Sequence, residues 1–504
     1  MRCLLPMITI LLLLTGPHAV EALDQGARPK PTRYRLIFNS DGHSTFKDAQ
    51  GNMAHWLENL FGPLENSQVD ALFWCDGAGG NTANYRSNIL ELTGHRIGKV
   101  IPHLQEMLDA GYDPPEIVVR EAHKRKMDVF FSFRFNDVHD RFLPEELPVF
   151  KVEHPEWLIG ERDFGTAMSG KTSLNFAIPE VRELKFKIAE EVITNYDFDG
   201  IEIDFLRSPP YFLPDQVQSH SHLLTGYLKR LRELLDRVGR ERGKVLRLAV
   251  RVDENLEACE KDGFRVKEWI DESIIDYLIL GSGVIDIDVA AFRRLTRRSR
   301  TLVYPCLYGW PSRYSPIPES LARGLALNYH RQGGDGIYLF NWFPHVHNNS
   351  ENHGPYLTNL LKQVGHPLTA IAGDKLMFVV DRGTQDFSYP NNWLHARLPA
   401  TLKASQPLQL KVQIGAVRAE LAHFSEIVLR IEAEQKLNGD ALSLVLNGQQ
   451  LLASPTPDDP SALAVHISHK QLRHGSNRIS LTFEPADGND RTLEIHAVEI
   501  HARK

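Results

Sequence analysis

The chain has 504 residues, with 57 lysines and arginines against 64 aspartates and glutamates, a formal charge of −7 and 42% hydrophobic residues. These values exclude a disordered chain, a collagen-like repeat and a coiled coil, and the mildly acidic balance argues against nucleic acid as the main partner. The length allows roughly two to four domains, fewer if one is a large barrel.

The first 22 residues read as an export signal. Arg2 supplies the charge, Leu4 to Leu14 the apolar run, and Val20-Glu21-Ala22 a small-x-small cleavage site. The run is too short for a bilayer span of about 20 residues, so the expectation is a secreted or periplasmic bacterial protein with no membrane span after cleavage. Cys75, Cys259 and Cys306 then remain. Three cysteines with no C-x-x-C pair form neither a disulfide framework nor a zinc-cysteine site, and the core must hold itself together. No cofactor is indicated, and no feature assigns an oligomeric state.

From Tyr34 to about His366, short apolar runs alternate with amphipathic segments. The runs are Tyr34–Phe38, Val69–Trp74, Asp128–Phe133, Gly200–Phe205, Leu246–Val252, Ile275–Leu280, Thr301–Leu307 and Gly336–Phe340. Helical patterns follow them near Met53–Phe61, Ile97–Asp109 with Pro115–Lys126, Pro179–Tyr196, Val217–Gly239, Val266–Glu272, Val289–Arg298, Pro318–Gln332 and Tyr356–Val364. Eight such units predict a (β/α)8 TIM barrel over residues 33–366, because near-continuous apolar strands suit parallel pairing under helices. The rival, a doubly wound open sheet, calls for a glycine-rich turn after its first strand. Asn39-Ser40-Asp41-Gly42-His43 is not one.

Beyond about Leu368 the pattern becomes short alternating strands with turns such as Asn447-Gly448. Seven of them, Leu376–Val380, Leu408–Ile414, Ile427–Ala433, Ala441–Leu446, Leu463–Ser468, Arg478–Phe483 and Leu493–His501, predict an accessory β-sandwich over residues 372–504. Such a module either binds carbohydrate or braces the barrel.

In a TIM barrel the chemistry sits at the C-terminal ends of the strands. The fourth run, Asp199-Gly200-Ile201-Glu202-Ile203-Asp204-Phe205-Leu206-Arg207, carries two carboxylates two residues apart. Side chains alternate along a strand, so Ile201 and Ile203 face the helices while Glu202 and Asp204 face the barrel axis. Buried carboxylates are costly unless paired or used, and Arg207 can hold one ionised. The alternative is a structural ion cluster.

This region resembles the glycosyl-hydrolase-like 10 family of exported bacterial barrel proteins. The resemblance rests on His154-Pro155-Glu156-Trp157, Leu174-Asn175-Phe176, Pro179-Glu180-Val181-Arg182 and Tyr196 through Arg207. It implies a glycoside-hydrolase type of barrel, and by position it makes Asp204 the family's strand-four aspartate. The same strand is also similar to the chitinase signature D-G-x-D-x-D-x-E. Leu206 replaces its last glutamate, which argues against a substrate-assisted mechanism.

Glycoside hydrolysis uses two carboxyl groups, one donating a proton and one acting as nucleophile or base. Asp204 is the candidate for the second role, and Glu202, Asp253 and Glu254 are candidates for the acid. Arg207, Arg251, Arg134, Asn136, Asp41, Asp76, Tyr308, Asn341 and Trp342, at or near strand ends, are candidates for binding substrate. Three arginines favour an acidic or sulfated sugar. The resulting expectation is a secreted glycoside hydrolase acting on a glycan. A non-catalytic carbohydrate-binding or cell-envelope protein on an inactive barrel is the alternative from another class. A third reading places a metal on the loop carrying His345 and His347, which lacks a defined third ligand, so no metal site is expected.

Overall fold

The computed structural model describes residues 28–41, 52–160, 170–281, 283–312, 314, 316–344, 356–382, 397–435, 441–456, 459, 461–486 and 491–504. The expected signal over residues 1–22 and the loop with His345 and His347 lie outside the described residues.

Eight parallel strands close into a barrel in sequence order. They are β1 (Leu36–Asp41), β2 (Val69–Cys75), β3 (Asp128–Arg134), β4 (Gly200–Asp204), β5 (Arg247–Val252), β6 (Tyr277–Leu280), β7 (Leu302–Tyr308) and β8 (Ile337–Phe340). β8 returns to β1 in register, with Leu36 opposite Ile337 and Phe38 opposite Leu339. The TIM-barrel expectation is met, and each strand lies within about three residues of its predicted run. β1 is displaced to Leu36–Asp41, which brings Asn39 into the strand.

Alternation divides the apolar residues between two cores. The inner one is aromatic: Phe73, Phe130, Tyr277, Tyr304, Tyr338 and Phe340 fill the barrel with Ile37 and Ile279. Phe73 stacks on Phe130 at 4.3 Å, and Tyr338 meets Phe73 edge-on at 5.8 Å. Rings of this size fill the barrel, so polar groups near its axis are shielded from water. The outer core joins the opposite faces of the strands, such as Ile201, Ile203, Val250 and Leu278, to the surrounding helices. The longest of these, Val217–Arg242, stops where Gly243 turns to φ 66° and Lys244 N–H closes onto the Gly239 carbonyl at 2.9 Å.

Two antiparallel sheets follow. One runs β10 (Ala400–Lys403), β18 (Thr492–Arg503), β12 (Glu426–Ala433), β16 (Ala462–His466) and β15 (Ser454–Pro455), with β9 (Lys375–Val379) pairing the far half of β18; the other runs β11 (Leu408–Ile414), β17 (Gly475–Glu484), β13 (Ala441–Leu446) and β14 (Gln449–Leu451). Burial alternates strictly along β12 (Glu426–Ala433) and nearly so along β17 (Gly475–Glu484), and Leu429, Ile431, Ile479 and Leu481 share one core. This is the two-sheet sandwich expected. Three further strands are β10 (Ala400–Lys403), β14 (Gln449–Leu451) and β15 (Ser454–Pro455). At two to four residues they are too short to display alternation.

Residues Pro31–Lys504 make one compact unit. Helix Glu319–Arg331 covers the barrel on one side and the sandwich on the other. Leu327 lies in the sandwich core, Asn328 Nδ2 donates to the Gln413 carbonyl at 3.0 Å, and the Arg323 guanidinium donates to the Lys375 carbonyl at 2.8 Å. Gly324 makes the close approach possible, since a Cβ there would stand 2.0 Å from the Met377 carbonyl oxygen. Gly324→Ala is therefore expected to destabilise the protein by about 1–3 kcal/mol through backbone displacement. A urea denaturation midpoint unchanged within error would contradict this.

Candidate active site

The register of three adjacent strands builds the site in two layers. In the upper layer, Asp204 of β4 has Arg134 of β3 and Arg251 of β5 as its lateral neighbours. One layer deeper, Glu202 has Ser132 and Ala249 beside it. The inward direction expected for both carboxylates is the one observed: Ala249 lines the inner core, while Ile201 and Ile203 pack into the outer one.

Arg251 Nε donates to Asp204 Oδ1 at 2.9 Å, and Leu206 N–H donates to the same oxygen at 3.0 Å. Asp204 Oδ2 is buried with no hydrogen-bond partner, as are both terminal nitrogens of Arg251. The Arg251 guanidinium lies 3.7 Å from the centre of the Phe340 ring, and that of Arg207 lies 5.1 Å from the same centre. Two cations thus share one aromatic ring beside one carboxylate. Arg207 is half-buried, and its Nε has no hydrogen-bond partner. Tyr308 stacks on Phe340 at 5.7 Å and accepts a hydrogen bond from Asn341 Nδ2 at 3.0 Å.

Glu202 Oε2 accepts from Ser132 Oγ at 2.5 Å and from the Tyr338 hydroxyl at 3.0 Å, while Asn39 Nδ2 donates to Ser132 Oγ. Burial, then the Asp204 charge, pushes the Glu202 carboxyl up to about 8, so it carries a proton at neutral pH. The neutral form is favoured in the fold. Its contribution to stability is fully present below about pH 4.5 and is lost as pH rises through about 8. Glu202→Gln stays neutral and keeps an acceptor for Ser132 and Tyr338. Its urea midpoint, relative to wild type, is expected to rise between about pH 6 and pH 9. Parallel pH curves for the two proteins would refute a protonated Glu202.

The two acids that follow β5 are both fully buried. Asp253 faces Asp262 at the end of the helix Leu256–Lys261, and burial followed by that neighbour raises it well above the usual carboxylate range. Glu254 is fully buried, and neither of its oxygens has a hydrogen-bond partner. Burial, then Asp381, Asp262 and Asp286, pushes it up to about 8.

The other candidates divide. Arg134 sits 3.6 Å from Asp137 Oδ2, and His139 Nδ1 lies 2.6 Å from the other oxygen. His139, Arg134 and Arg207 hold Asp137 well below the usual carboxylate range even though burial opposes them. Asn136 is 0% exposed, and its amide is occupied by backbone: Nδ2 donates to the Leu174, Ser208 and Pro210 carbonyls, and Oδ1 accepts from Leu174 N–H. Asp76 is buried and binds Ala78 N–H and Asn84 N–H within its own loop. Asp41 is the last residue of β1; its side chain is outside what is described.

Trp342 is 1% exposed, packs in the outer core and donates Nε1–H to the Leu357 carbonyl. Asn341 explains this position: its left-handed backbone, φ 49°, breaks the alternation after β8. Phe343 is then the residue that stacks on Trp310, at 5.7 Å, and Trp310 meets Tyr308 edge-on at 5.2 Å. These two half-buried rings, not Trp342, extend the aromatic wall. The sequence displayed both, but only the positive φ at Asn341 tells which of three consecutive residues turns toward the mouth.

One set of potential metal donors occurs among the described residues: Asp137, His139 and Glu146, with ligand atoms within 4.8 Å of one another. The charges of Arg134 and Arg207 beside Asp137 oppose a divalent ion there.

The geometry is thus a buried ion-paired aspartate, a protonated carboxyl beneath it, an excess of guanidinium and an aromatic wall. Among the described residues no helix is long and apolar enough to cross a membrane.

Comparison with known proteins gives the fold and this stretch of chain a context. The chain is 31% identical over 114 residues to "Glycosyl hydrolase YngK" of Bacillus subtilis (strain 168); the match covers 22% of this chain and 20% of that protein. Among solved structures, the endo-beta-1,4-mannanase from Thermotoga petrophila is 10% identical with a TM-score of 0.42, the match covering 93% of this chain and 98% of the mannanase. An Anoxybacillus alpha-amylase is 11% identical with a TM-score of 0.39, covering 89% and 98% of the two chains. Residues 64–221, which contain β2, β3, β4 and therefore Asp204, match the family Glycosyl hydrolase-like 10, so the chain resembles that family over the segment carrying the candidate nucleophile.

Proposed function

We propose that this protein is an exported glycoside hydrolase that cleaves a glycosidic bond at the C-terminal mouth of the barrel. The observation that carries this reading is Asp204, paired with Arg251 Nε at the C-terminal end of β4, with one oxygen free of any partner. A poorly solvated carboxylate held by a guanidinium is suited to attack an anomeric carbon, or to activate a water that does so.

The proton donor is drawn from Glu202 and Glu254, each held protonated near neutral pH. Of these, Glu254 is the better candidate. It follows a different strand, β5, whereas Glu202 shares β4 with Asp204, sits directly below it and is engaged by Ser132 and Tyr338. Asp253, turned toward Asp262, is not used in this scheme. Arg134, Arg207 and Arg251 outnumber the carboxylates they pair with, Asp204 and Asp137, which favours a glycan bearing carboxylate or sulfate groups. Tyr308, Trp310 and Phe343 offer an apolar face to a sugar ring.

The alternative, a non-catalytic carbohydrate-binding protein, is favoured by one observation: Asp204 Oδ2 and both Glu254 oxygens have almost no contact with solvent in this conformation. Hydrolysis therefore requires the surrounding loops to open. The test is a panel of uronic-acid-containing, sulfated, N-acetylated and neutral oligosaccharides assayed for new reducing ends. Release of reducing ends from at least one member is expected. Binding without cleavage across the panel would favour the alternative.

A further inference from the structure

We propose that the C-terminal sandwich acts as a clamp on the barrel mouth, with Asp381 and Glu499 as positioning residues for the loops after β6 and β7. Asp381 follows the sandwich strand β9 and is 4% exposed. It lies beyond the end of its own strand and reaches two barrel loops, accepting hydrogen bonds from Ile285 N–H at 3.1 Å, Asp286 N–H at 3.3 Å and Ser312 Oγ–H at 3.0 Å. The first two donors belong to the loop after β6 and the third to the loop after β7. Those loops are joined directly as well, by Ser312 N–H donating to the Gly283 carbonyl at 2.7 Å. Ser312 holds a left-handed backbone, φ 54°, and its hydroxyl oxygen also accepts from Arg382 N–H at 2.9 Å.

A second attachment lies further along the loop after β7. The Arg382 guanidinium sits over the Tyr314 ring at 5.1 Å, and the Tyr314 hydroxyl donates to Glu499 Oε1 at 2.8 Å. Glu499 is on β18, the long central strand of the sandwich, is 5% exposed and is held from its other oxygen by His501.

Two elements of the sandwich therefore reach one loop, the one that carries Trp310. A carboxylate accepting three hydrogen bonds in a buried position imposes a geometry on its donors that a solvated loop would not keep. Groups that hold a site's wall from behind determine how precisely the wall is placed. Charged and titratable groups packed around Asp381 are Asp286, Glu254 and Arg382. The mechanical part of the clamp stands on these contacts alone; its effect on substrate rests on the function proposed above.

The test is hydrogen–deuterium exchange of the full chain in Asp381→Ala, Asp381→Asn and Tyr314→Phe. In Asp381→Ala, peptides covering 281–288 and 309–317 are expected to exchange at least about tenfold faster, with peptides covering 128–134 unchanged. Asn at 381 retains an acceptor for the two N–H groups and is expected to stay within about threefold of wild type at those peptides. Tyr314→Phe, a mild change, is expected to accelerate 309–317 only. On a glycan that wild type cleaves, Asp381→Ala is expected to raise KM more than it lowers kcat, because it displaces a binding wall rather than the reacting groups. Unchanged loop exchange in Asp381→Ala, equal acceleration of 128–134, or an Asn variant as open as the Ala variant would each overturn the clamp. Absence of cleavage by wild type on every glycan counts against the proposed function only, because the exchange data judge the clamp separately.

Discussion

Replacing Asp204 with asparagine is expected to lower kcat/KM on any cleaved glycan by at least about 10³-fold, close to 4 kcal/mol of transition-state stabilisation. The substitution is close to isosteric. An asparagine Oδ1 still accepts from Arg251 Nε and from Leu206 N–H, so both hydrogen bonds at this oxygen survive. The negative charge is removed, and with it the nucleophile or base. Reducing-end assays with circular dichroism on the same sample separate loss of chemistry from loss of fold. A folded Asp204→Asn variant with wild-type rate would remove Asp204 from the mechanism and with it the basis of the hydrolase assignment.

The second large effect is expected at Arg251. Its side chain is fully buried, paired with Asp204 at 2.9 Å and laid on Phe340 at 3.7 Å. Arg251→Met leaves the Asp204 charge buried without its cation, a loss of about 3–5 kcal/mol by analogy with other broken buried pairs. The double variant Asp204→Asn with Arg251→Met removes both charges. It is expected to recover a substantial part of that stability, because the penalty belongs to the orphaned ion rather than to the missing contact. Urea denaturation at pH 7 of both single variants and the double variant closes the cycle. Additive losses would show that Arg251 and Asp204 are not energetically coupled. Arg251→Lys is expected not to restore wild-type stability, since a lysine carries neither the Nε donor at that position nor a flat face for Phe340.

The interior layering explains why these effects are large. Aromatic rings fill the barrel below the site, so charges there meet little water. The same environment keeps Glu202 protonated and leaves the free oxygen of Asp204 unsolvated. A barrel mouth with small aliphatic residues and bound water would screen the same carboxylates and weaken both effects.

The amino-acid order alone determined the architecture. Eight apolar runs separated by amphipathic segments have one economical burial, a closed parallel barrel, and period-two alternation in Gly200–Asp204 directs Glu202 and Asp204 inward. Both are local properties, readable because backbone geometry fixes them residue by residue. The position of Asp204 between Arg134 and Arg251 followed from strand register, which depends on how three distant segments align.

Tertiary structure decided what happens where regular alternation stops. The left-handed turn at Asn341 sends Trp342 outward and brings Phe343 to Trp310. Backbone carbonyls from two other loops occupy Asn136. Asp262 draws Asp253 aside, and a residue from the sandwich takes hold of the loops after β6 and β7. Contacts of this kind join residues tens to hundreds of positions apart, and no periodicity in the chain encodes them.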